Sequence, residues 1–287
     1  MCEPKKTLLF FLFSIFILIQ PSSSALDSFV FGGCTQLKFT QGSPYESNLN
    51  SILTSLVNSA MFSNYNNFTI QGLSTNSQDT IYSLYQCRGD LSNGDCARCV
   101  ARAVSQLGTV CLDSIGAALQ LEGCFVKYDN RSFLGVEDNT EVLKKCGPLI
   151  VYDSNELTRR DEVLAYLAAS DGTYKPYRVG ASGDVSGVAQ CVGDLSESEC
   201  QECVSEAIGR LKTECGTAPW GEVYLAKCYA LYSEGGSHSN GGQDTNNNDD
   251  EIEKTLAILV GLIAAVALLV VFISFFRKVC GKGKGDK

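Results

Sequence analysis

Cys87-Arg88-Gly89-Asp90-Leu91-Ser92-Asn93-Gly94-Asp95-Cys96-Ala97-Arg98-Cys99 and Cys191-Val192-Gly193-Asp194-Leu195-Ser196-Glu197-Ser198-Glu199-Cys200-Gln201-Glu202-Cys203 are one pattern written twice, 104 residues apart. Each continues to two more cysteines with identical gaps, Cys111 and Cys124 in the first copy, Cys215 and Cys228 in the second. The shared spacing is C-x8-C-x2-C-x11-C-x12-C. A period this long marks a duplicated domain rather than a short solenoid repeat. Cys34 and Cys146 precede the two sets and bring each copy to six cysteines.

Outward from the cysteines, local signals place the elements. Ser92-x-x-Asp95 and Ser196-x-x-Glu199 read as helix N-caps with an acid three residues on, strict in the second copy and approximate in the first. Behind them Cys96, Cys99, Val100, Ala103 and Leu107 recur at helical steps, as do Cys200, Cys203, Val204, Ala207 and Leu211. An earlier helix is expected from Ser43-Pro44, with Leu49, Ile52, Leu53, Leu56 and Val57 inward. Its counterpart is expected to be capped at Thr158-x-x-Asp161, ahead of Val163, Leu164 and Leu167. Residues 81–87, 117–128 and 222–232 read as strands. The fold class is therefore α+β: two tandem disulfide-stapled domains, each with two helices on an antiparallel sheet.

Lys5 and Lys6 lead into an apolar run of about 12 residues that ends at Pro21 and a run of serines, which reads as a signal peptide over 1–24. Secretion suits twelve paired cysteines. Residues 255–276 carry no charge and, at about 1.5 Å per residue, reach roughly 33 Å, enough to cross a bilayer. Acidic residues precede this span, and Arg277, Lys278, Lys282, Lys284 and Lys287 follow it, which predicts a cytosolic tail over 277–287. Domain boundaries of 25–136 and 137–233, then a Gly/Asn/Asp-rich stalk over 234–254, complete a type I single-pass layout. Gly261 and Ala265 form a small-xxx-small pair suited to helix packing, and Cys280 is a palmitoylation candidate. Sequons at Asn67 and Asn130 predict glycosylated asparagines on exposed loops.

Net charge is −9 for the whole chain and about −14 for the part between signal peptide and tail, which holds 30 acidic and 16 basic residues. Nucleic-acid binding is disfavoured, because no basic stripe exists. The one histidine, His238, lies in the stalk, so Ser-His-Asp and Cys-His arrangements lack their base. Zinc would need an all-cysteine site, and secretion with six cysteines per copy favours disulfides. No metal, cofactor or catalytic residue is expected, and the chain reads as a non-enzyme. Six cysteines allow 15 pairings, among which spacing does not choose.

The repeated C-x8-C-x2-C with Gly-Asp-Leu-Ser, ending in Cys124-Phe125-Val126-Lys127-Tyr128 and Cys228-Tyr229-Ala230-Leu231-Tyr232, resembles the plant DUF26, or gnk2-homologous, domain. Two such domains with a membrane helix and a short tail resemble the plasmodesmata-located proteins. The resemblance implies two helices on a five-stranded sheet, and bridges Cys34–Cys111, Cys87–Cys96, Cys99–Cys124, Cys146–Cys215, Cys191–Cys200 and Cys203–Cys228. It implies a plasma-membrane protein at plasmodesmata that restricts cell-to-cell traffic through callose and takes part in immune signalling. Implied partners are other family members, receptor kinases, callose synthase complexes and viral movement proteins. A surface lectin or a kinase co-receptor is the alternative. A mannose-binding lectin relative uses Asn, Arg and Glu at positions that here hold Thr35, Ala118 and Asp129, then Gly147, Glu222 and Ser233. None matches, so that mannose site is not expected.

Overall fold

A computed structural model of the 287-residue chain describes residues 25–72, 79–149, 154–170 and 173–235. The expected signal peptide, most of the stalk, the membrane span with Gly261 and Ala265, and the tail with Cys280 lie outside the described residues. Among the described residues no helix is long and apolar enough to cross a membrane.

The first module runs β1 (Phe29–Cys34), α1 (Pro44–Ser59), β2 (Tyr65–Ile70), β3 (Ile81–Cys87), α2 (Asn93–Val110), β4 (Ala117–Leu121) and β5 (Cys124–Asp129). The second repeats it as β6 (Glu141–Cys146), α3 (Ser154–Ala168), β7 (Tyr177–Ser182), β8 (Val185–Cys191), α4 (Glu197–Glu214), β9 (Trp220–Leu225) and β10 (Cys228–Glu234). Each sheet has five antiparallel strands, in the orders β1-β4-β5-β3-β2 and β6-β9-β10-β8-β7. Both helices of a module pack on one face of its sheet, so alternate strand residues point into a single core. Ile52 and Leu56 of α1, Val100 and Leu107 of α2 and Leu119 of β4 meet there almost fully buried. Each such side chain contributes about 1.5–3 kcal/mol.

The helix starts follow from their caps. Ser43 and Ser92 each accept a hydrogen bond from the backbone N–H three residues on, at Glu46 and Asp95. Ser196 and Glu199 form a full capping box. In the second module α3 begins at Ser154, a full turn before the expected Thr158 cap. Nothing between 154 and 158 breaks a helix, and Glu156 in the first turn complements the helix dipole. Asp161 pairs instead with the Arg160 side chain beside it.

Six disulfides tie these elements: Cys34–Cys111, Cys87–Cys96, Cys99–Cys124, Cys146–Cys215, Cys191–Cys200 and Cys203–Cys228. In each module one joins the first strand to the far end of the second helix. Another joins the third strand to the start of that helix. The third pins the helix to the last strand. Asn67 lies within edge strand β2 rather than on a loop, although exposed. Asn130 follows β5 directly and is half-buried.

Candidate functional site

The helix-free faces of the two sheets meet, which gives a helix–sheet–sheet–helix stack. Leu84, Phe125, Phe133 and Val192 form a separate buried cluster between them. Phe31 of β1 sets its ring edge-on to Tyr224 of β9, with centroids 5.7 Å apart. Aromatic pairs in such geometry add to what burial alone provides.

Polar contacts fix the register of this seam. Gln190 Nε2 donates to the carbonyl of Cys87 at 2.9 Å, and Gln86 Oε1 accepts from the backbone N–H of Gly193 at 2.9 Å. Tyr229 donates to Gln190 Oε1 at 3.0 Å. Each glutamine stands one residue before the third strand's cysteine, so the duplication supplies both halves of the exchange.

The connection between modules is held by ions. Lys227 lies in the β9–β10 turn and donates to the carbonyl of Phe133 at 2.8 Å. Asp194 Oδ2 accepts from Lys227 and from the backbone N–H of Gly135. Lys127 and Lys227 both lie near the Phe133 ring, at 4.5 and 5.5 Å from its centroid, a cation–π arrangement. Burial pulls the Lys127 ammonium down from its usual range, helped by the neighbouring Lys227 charge.

One carboxylate in the seam is raised. Burial pushes the Glu122 carboxyl above its ordinary value, Glu222 adds repulsion, and Arg88 and Lys145 oppose the shift. Burial also pushes up the Tyr224 and Tyr229 phenols. Burial works against the Asp90 charge, but its ion pair with Arg88 outweighs that and holds it low. The cavity among Gln86, Glu122, Gln190, Tyr224 and Tyr229 holds about 30 Å³, too little for an organic ligand.

The lectin-equivalent positions are spread differently in the two modules. Thr35 and Asp129 converge around Gly116, where an added Cβ would meet each of them at 2.8 Å. Ala118, in the place of the sugar-binding arginine, packs against the seam cluster. In the second module Trp220 occupies the place of Gly116, and its indole lies against Gly147. Glu222 is 5 % exposed and Ser233 is buried. The seam residues Gln86, Gln190, Asp194 and Lys227 were not singled out by sequence. The repeated Gly-Asp is the nearest signal to them, and by itself it marks only the duplication.

Two disulfide-stapled modules locked sheet to sheet define the class: a tandem cysteine-rich repeat protein. The chain belongs to the Stress-antifung family, described as salt stress response/antifungal, which matches residues 33–131 and 149–235. It is 64% identical over 272 residues to Plasmodesmata-located protein 6 of Arabidopsis thaliana, covering 93% of each chain. It is 55% identical over 284 residues to Plasmodesmata-located protein 7 of the same plant, covering 98% of this chain and 93% of that one. The crystal structure of the tandem DUF26 ectodomain of the Arabidopsis thaliana cysteine-rich receptor-like protein PDLP5 superposes with a TM-score of 0.69. That structure shares 47% identity and covers 73% of this chain and 100% of its own.

Proposed function

We propose that the chain is a non-enzymatic, single-pass plasmodesmal membrane protein that regulates cell-to-cell trafficking. In this reading the paired modules face the extracellular space and the basic tail lies in the cytosol. The observation that carries it is similarity along nearly the whole chain to two proteins named as plasmodesmata-located. Callose-linked closure, immune signalling and docking of viral movement proteins belong to the same reading, with callose synthase complexes and other family members as partners. A fluorescent fusion tests it: puncta at wall junctions are expected, together with slower spread of a diffusible reporter when the protein is overproduced. Uniform plasma-membrane signal with unchanged spread would sink it.

A second reading, a co-receptor for a receptor kinase, is favoured by the receptor-like character named for the PDLP5 ectodomain. It places the kinase contact on the Gly261/Ala265 face. Gly261→Leu with Ala265→Leu should then abolish co-purification of the kinase. The lectin alternative is weakened by Ala118 packed in the seam and Trp220 filling the second module's site. A glycan array on the purified protein should show no preference for mannose.

A further inference from the structure

The two Gly-Asp turns have no local reason to begin with glycine. Neither Gly89 nor Gly193 has a positive φ, so the backbone there accepts any L-residue. What forbids a side chain is the sister module. A Cβ on Gly89 would lie 2.4 Å from Tyr177 Cγ, and one on Gly193 would lie 2.7 Å from Tyr65 Cγ. Each tyrosine opens an edge strand of the other module, β2 or β7.

Each tyrosine also has a fixed companion. Tyr65 is the cross-strand neighbour of Gln86, and Tyr177 that of Gln190. These are the two glutamines that reach across the seam. Thus Tyr65 covers Gly193 while Gln86 accepts its N–H. Tyr177 covers Gly89 while Gln190 donates to the carbonyl of Cys87, two residues before it. Burial raises the Tyr177 phenol, and the Asp90 charge nearby adds to that. Asp194 answers on the other side with its charge near Tyr65.

We propose that each Tyr–Gln pair is a clamp that recognises the Gly-Asp turn of the other module, and that the reciprocal use of two clamps specifies module pairing. The surface is thus a module-recognition site whose partner is a second module of the same kind. Within one chain both clamps and both turns are occupied. Glycine is required because a tyrosine ring rests on the backbone, and the following aspartate supplies a polar anchor beside that ring.

The test uses the full chain purified in detergent, with trypsin cleavage after Arg131 in the connection as the readout of an opened seam. Arg131 is exposed, whereas Phe133 two residues on is buried in the seam. Cleavage tracks the open population when closing is fast. Gly89→Val and Gly193→Val are each expected to raise the cleavage rate about tenfold or more. Gly108→Ala, at a glycine with nothing within 4 Å of an added Cβ, should leave it unchanged. Mapping of the six disulfides separates an opened seam from a misfolded module. Should a valine variant misfold, the cycle of Gly193→Ala with Tyr65→Ala decides, because the three atoms nearest an added Cβ there all belong to the ring. The double variant is expected to be cleaved no faster than Tyr65→Ala alone, because the clash disappears with the ring. Wild-type cleavage in a folded Gly89→Val, or simple additivity in the cycle, would overturn the proposal.

Discussion

Lys227 Nζ lies 2.5 Å from Asp194 Oδ2 with the two side chains 3% and 5% exposed, so a complete ion pair is enclosed beside the seam. Its first-module counterpart differs: Gly123 occupies the position of Lys227, and Asp90 pairs with Arg88 within its own turn. Duplication supplied the aspartate twice, but only the second copy acquired a lysine that captures the connection. Removing one member of a buried pair strands the other, at about 3–5 kcal/mol. Lys227→Met is therefore expected to destabilise by that amount in denaturant titrations. Lys227→Met with Asp194→Leu should recover only part of it, since Gly135 N loses its acceptor and Phe133 O keeps only the Val136 N–H. A single-variant loss below about 1 kcal/mol, the range of surface pairs, would mean the pair is hydrated in solution.

Glu122 makes the seam sensitive to pH, and the sign follows from its raised carboxyl. Both folded and unfolded forms are protonated well below the unfolded value, about 4.3, so no penalty exists there. As pH climbs from that point the unfolded chain loses its proton first. The folded state then falls in relative stability until its own raised value is passed. Stability should thus decline between about pH 4 and neutrality by more in the wild type than in Glu122→Gln. Melting temperatures across that range check this. Parallel curves for the two proteins would show that Glu122 is solvated as in the unfolded chain.

How much was legible depended on how far each determinant reaches. The caps at Ser43, Ser92 and Ser196 were readable because a cap bonds only three residues ahead. The α3 start was misplaced because Thr158 and Asp161 mimic a cap inside a helix that nothing interrupts. The seam was hidden for the opposite reason. Gly89 and Tyr177 lie 88 positions apart, and a lone tyrosine opening a strand resembles any other. Lys227 reads as a solvated surface charge until its carboxylate is placed beside it. The sulfur framework was visible as a duplicated spacing, while the pairing came only with the family resemblance. The empty lectin pattern was also readable, but not that Trp220 fills the space.

Caps offer an internal comparison between modules. Ser196 holds the full reciprocal box, its hydroxyl accepting from Glu199 N while the Glu199 carboxylate accepts from Ser196 N at 2.8 Å. Ser92 accepts from Asp95 N, but the shorter Asp95 side chain accepts from the serine hydroxyl and from Arg98 rather than from the Ser92 N–H. Ser196→Ala and Ser92→Ala are each expected to cost about 0.5–2 kcal/mol, and Glu199→Ala, which removes the acceptor of the Ser196 N–H, is expected to lower the melting temperature as well. No loss in thermal melts of Glu199→Ala would show that the returning Glu199 bond contributes nothing beyond the hydroxyl.

The disulfides set two effects against each other. Cys34–Cys111 spans 77 residues and Cys87–Cys96 spans 9. Chain entropy alone makes the long bridge worth about 4.5 kcal/mol and the short one about 2.6 kcal/mol. Packing acts the other way, because Cys87 and Cys96 are both wholly buried whereas the long bridge joins buried Cys111 to exposed Cys34. Emptying two buried sulfur positions adds roughly 1 kcal/mol each. Replacing both cysteines of either bridge by alanine should therefore cost about the same, within about 1 kcal/mol, despite the difference in loop length. Denaturant midpoints of the two double variants measure it. A short-bridge loss of only about 0.6 of the long-bridge loss would show that loop closure alone governs these staples and that the buried sulfurs add no packing stability.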